Sequence, residues 1–353
     1  MRLLPVLTSP DRVKEFKEYR RYFRIIPDKV LENVYERVFS SKTIHLAKVY
    51  ASEGETLRQL SDEAKIKYII GLEKHERLLL SYMLISLDKR FYDIREEIAR
   101  MLGYSSYKDF VSVALRYIKL RTGVRELTLR NFHLYPEGYA IFWGFTTGYI
   151  GYAVSGYIMG YHLGDGSIRV RDRKIKIEIP TTNLDLIKPV REVLDKYRNT
   201  YTLSRRRRVL GEKVRYELYS EDFIMQSLCF LWGYYYALEL SYGELSRGLL
   251  VGIINSDGTF RVEDDRVLIR VFQGTSRVEE IPLVNEALAL LHELANGIRL
   301  QHTFVPAYIT MDILHQGYIG FFRRKVVRDL VRFAMDKGLP IKIPSKIIEK
   351  ILE

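Results

Sequence analysis

The chain has a single cysteine, Cys229, in 353 residues. One cysteine excludes an internal disulfide framework and a cysteine-ligated zinc site. Cys229 lies in an apolar run, which marks it as a core residue rather than a nucleophile. No apolar core of signal-peptide length precedes Asp11, so a cytoplasmic location is expected. Glutamine is scarce while Lys, Arg, Glu, Ile and Tyr are plentiful, a bias compatible with life at high temperature. Acid is also in deficit. Asp and Glu total 44 against 56 Lys and Arg, leaving a net charge of +12 and a pI of about 9.4. That balance favours a polyanionic partner, nucleic acid first and an anionic membrane second, with an indifferent basic surface as the plain alternative.

Charge is missing altogether from Tyr139–Leu163, a stretch long enough to cross a bilayer. It contains Gly-x-x-x-Gly, a spacing also found in membrane helices. It runs into Asp165-Gly166-Ser167, however, with no basic flank beside it. A related segment, Gly248–Asn255, is short and follows Glu244 and Arg247. A buried interface helix accounts for both segments and a membrane span for only one, so no membrane partner is expected.

The relation between those segments is the most informative feature of the chain. Gly156–Ile168 and Gly248–Phe260 share one pattern: Gly-x-x-x-Gly, four residues, then Asp-Gly, Ser or Thr, and an apolar residue. Similar elements follow each copy, so the chain reads as an internal duplication with one carboxylate per copy. Gly156 and Gly160 lie one helical turn apart, as do Gly248 and Gly252. Such faces let two helix backbones approach closely. The Asp-Gly pair is expected to end each helix, with Gly in a left-handed cap. Side-by-side packing would then bring Asp165 and Asp257 to one edge of the interface. Two carboxylates there repel unless a divalent cation sits between them, and hard oxygen ligands favour Mg²⁺ or a similar ion.

Ile158–Gly166 and Leu250–Gly258 resemble the signature helices of the LAGLIDADG homing endonucleases. The likeness is carried by Gly160, Asp165 and Gly166 and by Gly252, Asp257 and Gly258. Met159 and Val251 depart from it, His162 stands where an aliphatic is usual, and Leu163 and Asn255 replace the motif's first Asp. The resemblance covers roughly residues 139–340. It implies that Asp165 and Asp257 are the metal-binding, catalytic acids. It also implies a second shell at the end of each copy's second strand. Gln273 stands at about that place in the second copy, either in that role or as an ordinary strand-end hydrogen bonder. Pro180–Thr181–Thr182 stands there in the first, without an equivalent polar group.

The pattern downstream agrees. Ser167–Asp172 and Lys174–Pro180 alternate, with Ile168, Val170, Ile175, Ile177 and Ile179 on one face and Arg169, Arg171, Arg173, Lys174 and Lys176 on the other. Asn183–Arg198 reads as a helix. Tyr201–Leu210 and Lys213–Tyr219 read as a second hairpin carrying Arg205, Arg206, Arg207 and Arg208, and Phe223–Leu240 as an apolar helix. The second copy retraces this order: Thr259–Glu263 with Arg266–Gln273, helix Glu280–Asn296, Ile298–Phe304 with Ala307–Ile313 around Pro306, and helix Tyr318–Lys337. Its cations are Arg261, Arg266 and Arg270. The expected fold is α+β: tandem αββαββα repeats, 139–240 and 241–353, forming a pseudo-dimer with saddle-shaped antiparallel sheets. Two-stranded ribbons lined with Arg and Lys fit the major groove of double-stranded DNA, although strand charges can also be a merely solvated face.

Residues 1–138 are expected to form an all-α domain. Arg12–Arg24 is strongly basic, and Ile44–Leu60 and Ile94–Ile118 both have helix-turn-helix spacing. The leading expectation is a monomer acting as a pseudo-dimer: a divalent-metal-dependent, site-specific DNA endonuclease of homing type. The alternatives are a DNA-binding regulator that kept the fold and lost cleavage, and an RNA-binding splicing helper.

Overall fold

The computed structural model describes residues 40–122, 136–171, 174–197, 201–206, 214–220, 223–229, 231–240, 242–263, 266–273, 281–306, 308–310, 313–315, 317–321 and 323–352. The basic run Arg12–Arg24 and the residues Arg173, Arg207 and Arg208 lie outside the described residues.

The N-terminal part is helical. α1 (Ser41–Gln59) is capped by Ser40, whose side chain accepts from the Thr43 N–H. α2 (Asp62–Ile70) is capped in the same way by Ser61, and α3 (Lys74–Leu87), α4 (Lys89–Asp93), α5 (Arg95–Met101) and α6 (Tyr107–Thr122) follow. The helix-turn-helix expected at Ile44–Leu60 is not formed, because Ser41–Gln59 is one unbroken helix. Gly54 is not a turn there but a contact surface. The second candidate, Ile94–Ile118, does contain two helices about a tight turn. Gly103, at φ 85°, donates to the Arg100 carbonyl at 2.9 Å, and Tyr104 to that of Ala99 at 2.9 Å, a left-handed helix stop.

The charge-free stretch is broken in two. α7 (Pro136–Ile150) and α8 (Tyr152–Asp165) are separated by Gly151 at φ 108°. Among the described residues no helix is long and apolar enough to cross a membrane. α7 packs on α1 through small residues. A Cβ on Gly144 or Gly148 would overlap the carbonyl oxygen of Ala47 or Ala51, and one on Gly54 that of Phe145. A buried carboxylate ties the start of α4 to α7. Asp88 is fully buried and accepts from Arg90 Nε at 3.1 Å, Arg90 Nη2 at 2.7 Å, the Arg90 amide at 3.0 Å and Tyr149 Oη of α7 at 2.7 Å. Burial alone raises its pKa, but the bonds from Arg90 and Tyr149 outweigh that, and the carboxyl sits below its usual range.

The duplicated part follows. α8 leads to β1 (Ser167–Arg171), β2 (Lys174–Thr181), a 3₁₀ turn at Leu184–Ile187, α9 (Lys188–Lys196), β3 (Tyr201–Arg206) and β4 (Arg215–Ser220). The expected single helix Phe223–Leu240 is described as α10 (Phe223–Cys229) and α11 (Leu231–Leu240). The second copy is α12 (Gly243–Asp257), β5 (Gly258–Glu263), β6 (Arg266–Gln273), α13 (Ile281–Gly297), β7 (Thr303–Val305), β8 (Tyr308–Thr310), β9 (Ile313–His315), β10 (Gly317–Phe321), α14 (Arg324–Asp336) and α15 (Ser345–Leu352). The sheets run β1-β2-β4-β3 and β5-β6-β10-β7, the same order twice.

The second hairpin of the second copy departs from expectation. β7 pairs with β10, and β8 with β9 form a separate ribbon inserted between them. Pro306 has no N–H for a ladder and ends β7. Tyr318 lies in β10 rather than in the last helix, which starts at Arg324. Ile319 and Phe321 alternate toward the core opposite Val271 and Ile269, and that period-two burial prevails over the helical one.

Replacing Asp88 by Asn should lower stability at neutral pH by about 2–3 kcal/mol, since hydrogen bonds to a buried charge are lost. A depressed folded pKa means that wild-type stabilisation is present above roughly pH 4 and is lost as the pH falls through the lower folded value. The denaturation curves of wild type and variant, followed by far-UV circular dichroism, should therefore converge in acid. Parallel curves would show that the charge contributes nothing.

Candidate active site

α8 and α12 pack with their backbones in contact. A Cβ on Gly156 or Gly160 would overlap the carbonyl oxygen of Leu245 or Leu249, and one on Gly248 or Gly252 that of Ala153 or Tyr157. The four glycines expected at the helix interface are therefore all there, each against the partner's main chain. A fifth, Gly164, extends the seam. A Cβ on it would meet the Ser256 side chain and lie 2.9 Å from Asp257 Oδ2. The cap glycines differ from expectation. Gly166 has φ −77° and ψ 166°, and Gly258 φ −73° and ψ 141°, both extended rather than left-handed. They are needed for space, because a Cβ on either would overlap the carbonyl oxygen four residues earlier.

Asp165 and Asp257 end their helices at the same end of this seam, Asp165 exposed and Asp257 half-buried. Both carboxylates act on the buried Tyr161 hydroxyl, whose pKa is pushed up to about 12, first by burial and then by these charges. The Asp165 carboxyl is itself raised by desolvation, with Lys342 and Arg215 opposing the rise. Two cations therefore act on Asp165, and sequence reasoning named neither; Arg215 also lies 3.6 Å from the Glu217 carboxylate. Arg215 opens β4, whereas Lys342 arrives from the segment after α14. Among the described residues no group of three or more His, Cys, Asp or Glu is placed to hold a metal ion. Two carboxylates offering hard oxygen donors fit an ion that keeps several water or phosphate ligands, as Mg²⁺ does.

His162, three residues before Asp165, is a buried core residue. Tyr234 donates its hydroxyl proton to the Met159 carbonyl at 3.0 Å and so accepts from His162 Nδ1, also at 3.0 Å. Burial pulls the His162 pKa down to about 4, keeping it neutral. Cys229 is buried, which pushes its thiol far up and leaves it inert.

Register locates the basic residues. Arg169 pairs with Lys176 and Arg171 with Lys174, positions that fall on the ladder face of Glu178, away from Ile177 and Ile179. In β3, Arg205 shares the ladder face of Leu203 and Arg206 the opposite one, so the arginine run does not form one stripe. That outer face is not uniformly basic. Glu178 and Glu217 are both buried on it, Glu178 accepting from Ser167 at 3.1 Å and Glu217 from Tyr219, and Lys176 lies 4.9 Å from the Tyr219 ring centre. In the second sheet Arg266 pairs with Glu263. Arg261 and Arg270 share the outer ladder face, and Arg270 lies over the Tyr318 ring at 5.6 Å.

The two registers also align the repeats. Ser167 pairs with Glu178 and Thr259 with Arg270, two residues after each aspartate, so Glu178 corresponds to Arg270 and Thr181 to Gln273. The first copy thus does have a polar group at the place of Gln273. The Thr181 hydroxyl accepts from Tyr161 at 3.0 Å and donates to the Asn183 carbonyl at 2.8 Å.

Residues 153–225 match the family model described as the LAGLIDADG-like domain. The chain carries a LAGLIDADG-like domain. The match takes in α8, its aspartate and the whole first sheet. The second copy, outside the matched residues, repeats the strand order of the LAGLIDADG-like part. No curated protein shows significant similarity to the chain. Among solved structures, I-DmoI in complex with DNA and Mn is similar at 16% identity over 52% of this chain and 94% of that one, with a TM-score of 0.32. I-DmoI with DNA and Ca aligns at 17% identity over 52% and 88%, with a TM-score of 0.32. The homing endonuclease I-WcaI bound to its DNA recognition sequence aligns at 15% identity over 55% and 88%, with a TM-score of 0.37.

A leucine at Gly160 or Gly252 should drive the helices apart and cost about 3 kcal/mol by overpacking. Thermal denaturation of each variant checks this, and an unchanged Tm for both would mean that the backbones do not touch.

Proposed function

We propose that the chain is a divalent-metal-dependent, site-specific double-strand DNA endonuclease of homing type. It acts in the cytoplasm as a monomer whose two repeats form a pseudo-dimer. One observation carries this reading: each repeat contributes one carboxylate, Asp165 or Asp257, to the same end of a glycine-lined helix seam. Cationic ladder positions on both sheets and the net charge of +12 add a polyanion-binding surface to it.

The residues divide the work. Asp165 and Asp257 hold the divalent cation, Mg²⁺ or a similar ion, which when bound supplies Lewis acidity toward a phosphodiester and a more acidic water. Arg169, Arg171, Lys174, Lys176, Arg205, Arg206, Arg261, Arg266 and Arg270, with Arg173, Arg207 and Arg208, hold and read the duplex. Phosphate contacts set its register and base-edge contacts supply the sequence. Gln273 and Thr181, at equivalent positions of β6 and β2, are assigned the supporting hydrogen-bonding role. The two helices about Gly103, with the exposed Lys108 and Arg116, add a DNA contact outside the saddle. The carboxylates being separate from the basic ladder, binding and cutting are separable.

Asp165→Asn and Asp257→Asn should each abolish double-strand cleavage while leaving duplex affinity within a few-fold. The assay is incubation with a plasmid library of randomised sites, with Mg²⁺ and with EDTA, beside a binding titration at several salt concentrations. Full cutting by either variant would remove the acids from the reaction. Salt-dependent binding without any cutting by the wild type would favour the regulator.

A further inference from the structure

Away from the acid pair, cations crowd the joint where the helical part meets the first repeat. Tyr149, near the end of α7, is its centre. Lys65 Nζ of α2 lies 5.9 Å from the Tyr149 ring centre. Arg90 of α4 holds Asp88, and Asp88 accepts from the Tyr149 hydroxyl at 2.7 Å. From the first repeat, Tyr197 reaches the Tyr149 carbonyl at 3.4 Å, and Lys196 Nζ lies 5.1 Å from the Tyr197 ring centre. Arg58 of α1 covers Gly151, where a Cβ would lie 3.6 Å from Arg58 Nε and 3.8 Å from its Cζ.

The carboxylates at this joint are already engaged. Asp88 is buried and bonded by Arg90 and Tyr149. Asp62 is shared between Lys65 Nζ at 3.1 Å and Arg90 Nη1 at 2.9 Å. Glu55 takes the Tyr152 hydroxyl and lies 3.8 Å from Arg58 Nη2. Lys65 is buried and turned inward, donating also to the Leu60 carbonyl at 2.9 Å. Arg90 spends three of its five N–H groups on Asp88 and Asp62, which leaves two. Arg58 and Lys196 are exposed. Glu192, one turn before Lys196, pairs with Lys188 instead, at 3.6 Å. The Lys196 ammonium is held below its usual range, first by partial burial and then by Arg90, with Lys65 and Arg58 adding to the effect and Asp88 opposing it. Repulsion among the cations outweighs the nearby acid, so an anion entering the joint is stabilised.

We propose that Arg58 and Lys196, with the remaining N–H groups of Arg90, form a binding site for a phosphate group, which bridges the helical part and the first repeat. Arginine offers phosphate oxygens paired N–H donors and lysine offers a point charge. α8 sets the distance from the acids. Its 14 residues rise about 1.5 Å each, so roughly 20 Å separate Gly151 from Asp165. The site is therefore separate from the acid pair and does not rest on the endonuclease reading. A phosphate held there braces the joint at Gly151, the single residue between α7 and α8, and fixes the helical part against the seam. The same chemistry is carried by free inorganic phosphate or pyrophosphate and by a nucleic-acid backbone.

The test uses the full chain, free of added metal, with Arg58→Gln, Lys196→Gln, Lys196→Arg and the double glutamine variant. Pyrophosphate, matched in ionic strength with sodium chloride, should raise the wild-type Tm by roughly 2 °C or more as the site fills. Calorimetric titration should show each glutamine variant binding pyrophosphate roughly fivefold more weakly, because one nearby positive charge is gone. The double variant should lose both the heat and the Tm rise, and Lys196→Arg should keep them. Binding of duplex DNA at several salt concentrations then identifies the source of the phosphate. A slope smaller by about 0.9 per lost contact in the variants places a backbone phosphate in the site. An unchanged slope beside weaker pyrophosphate binding makes the free anion the ligand. Variants that bind both pyrophosphate and duplex as the wild type does would overturn the proposal. So would a wild type with no pyrophosphate-specific rise in Tm whose salt slope the variants leave unchanged. No arm measures cleavage, so the site and the endonuclease reading stand or fall separately.

Discussion

The rest of the molecule depends on the backbone contact between α8 and α12. Where two helices meet through glycines, the main chains themselves make the dispersion contacts and no side-chain rotamers need to be frozen. The contact also removes freedom of register. Gly156 and Gly160 lie against Leu245 and Leu249, and Gly248 and Gly252 against Ala153 and Tyr157, so the reciprocal pattern fixes one helix along the other. Asp165 and Asp257 follow at the same end because each stands at the same distance from its glycines. The sheets follow in turn, since β1 and β5 begin directly after the helices they extend.

The same device is used a second time. α1 and α7 meet through Gly54, Gly144 and Gly148, and only Gly151 separates α7 from α8. The helical part is thus joined to the duplicated part by one left-handed residue between two close-packed helix pairs. Asp88, with Arg90 and Tyr149, ties the start of α4 to α7, and Tyr197 of the duplicated part reaches the Tyr149 carbonyl at 3.4 Å. A movement of the helical region would be felt at the seam because little slack lies between them.

The repeats agree in topology and differ in chemistry. Equivalent ladder positions carry Glu178 and Arg270, Tyr219 and Gly320, Thr181 and Gln273. A buried glutamate in one sheet stands where an arginine lies over a tyrosine ring in the other. A carboxylate accepts hydrogen bonds and repels phosphate, whereas a guanidinium does the opposite, so the two halves present different surfaces to any partner spanning both.

Much of this was legible in the sequence because it rests on local repetition. Gly156, Gly160, Gly248 and Gly252, the paired Asp-Gly steps and the alternation of Ile177 and Ile179 report helix spacing and strand period directly. The second seam left a trace as well, since Gly144 and Gly148 share the spacing, but nothing local identifies Ala47 and Ala51 of a distant helix as their partners. Tertiary structure decided the rest. The strand Gly317–Phe321 became a strand because β6 offered it a ladder, and Gly166 and Gly258 are glycines for want of room rather than for a left-handed turn. Arg215 and Lys342 act on Asp165 only because the sheet and the segment after α14 fold back to the helix ends. A periodic pattern is a property of neighbouring residues and can be read from the chain. A charge delivered to a site by contacts between residues far apart in sequence exists only once the chain has folded.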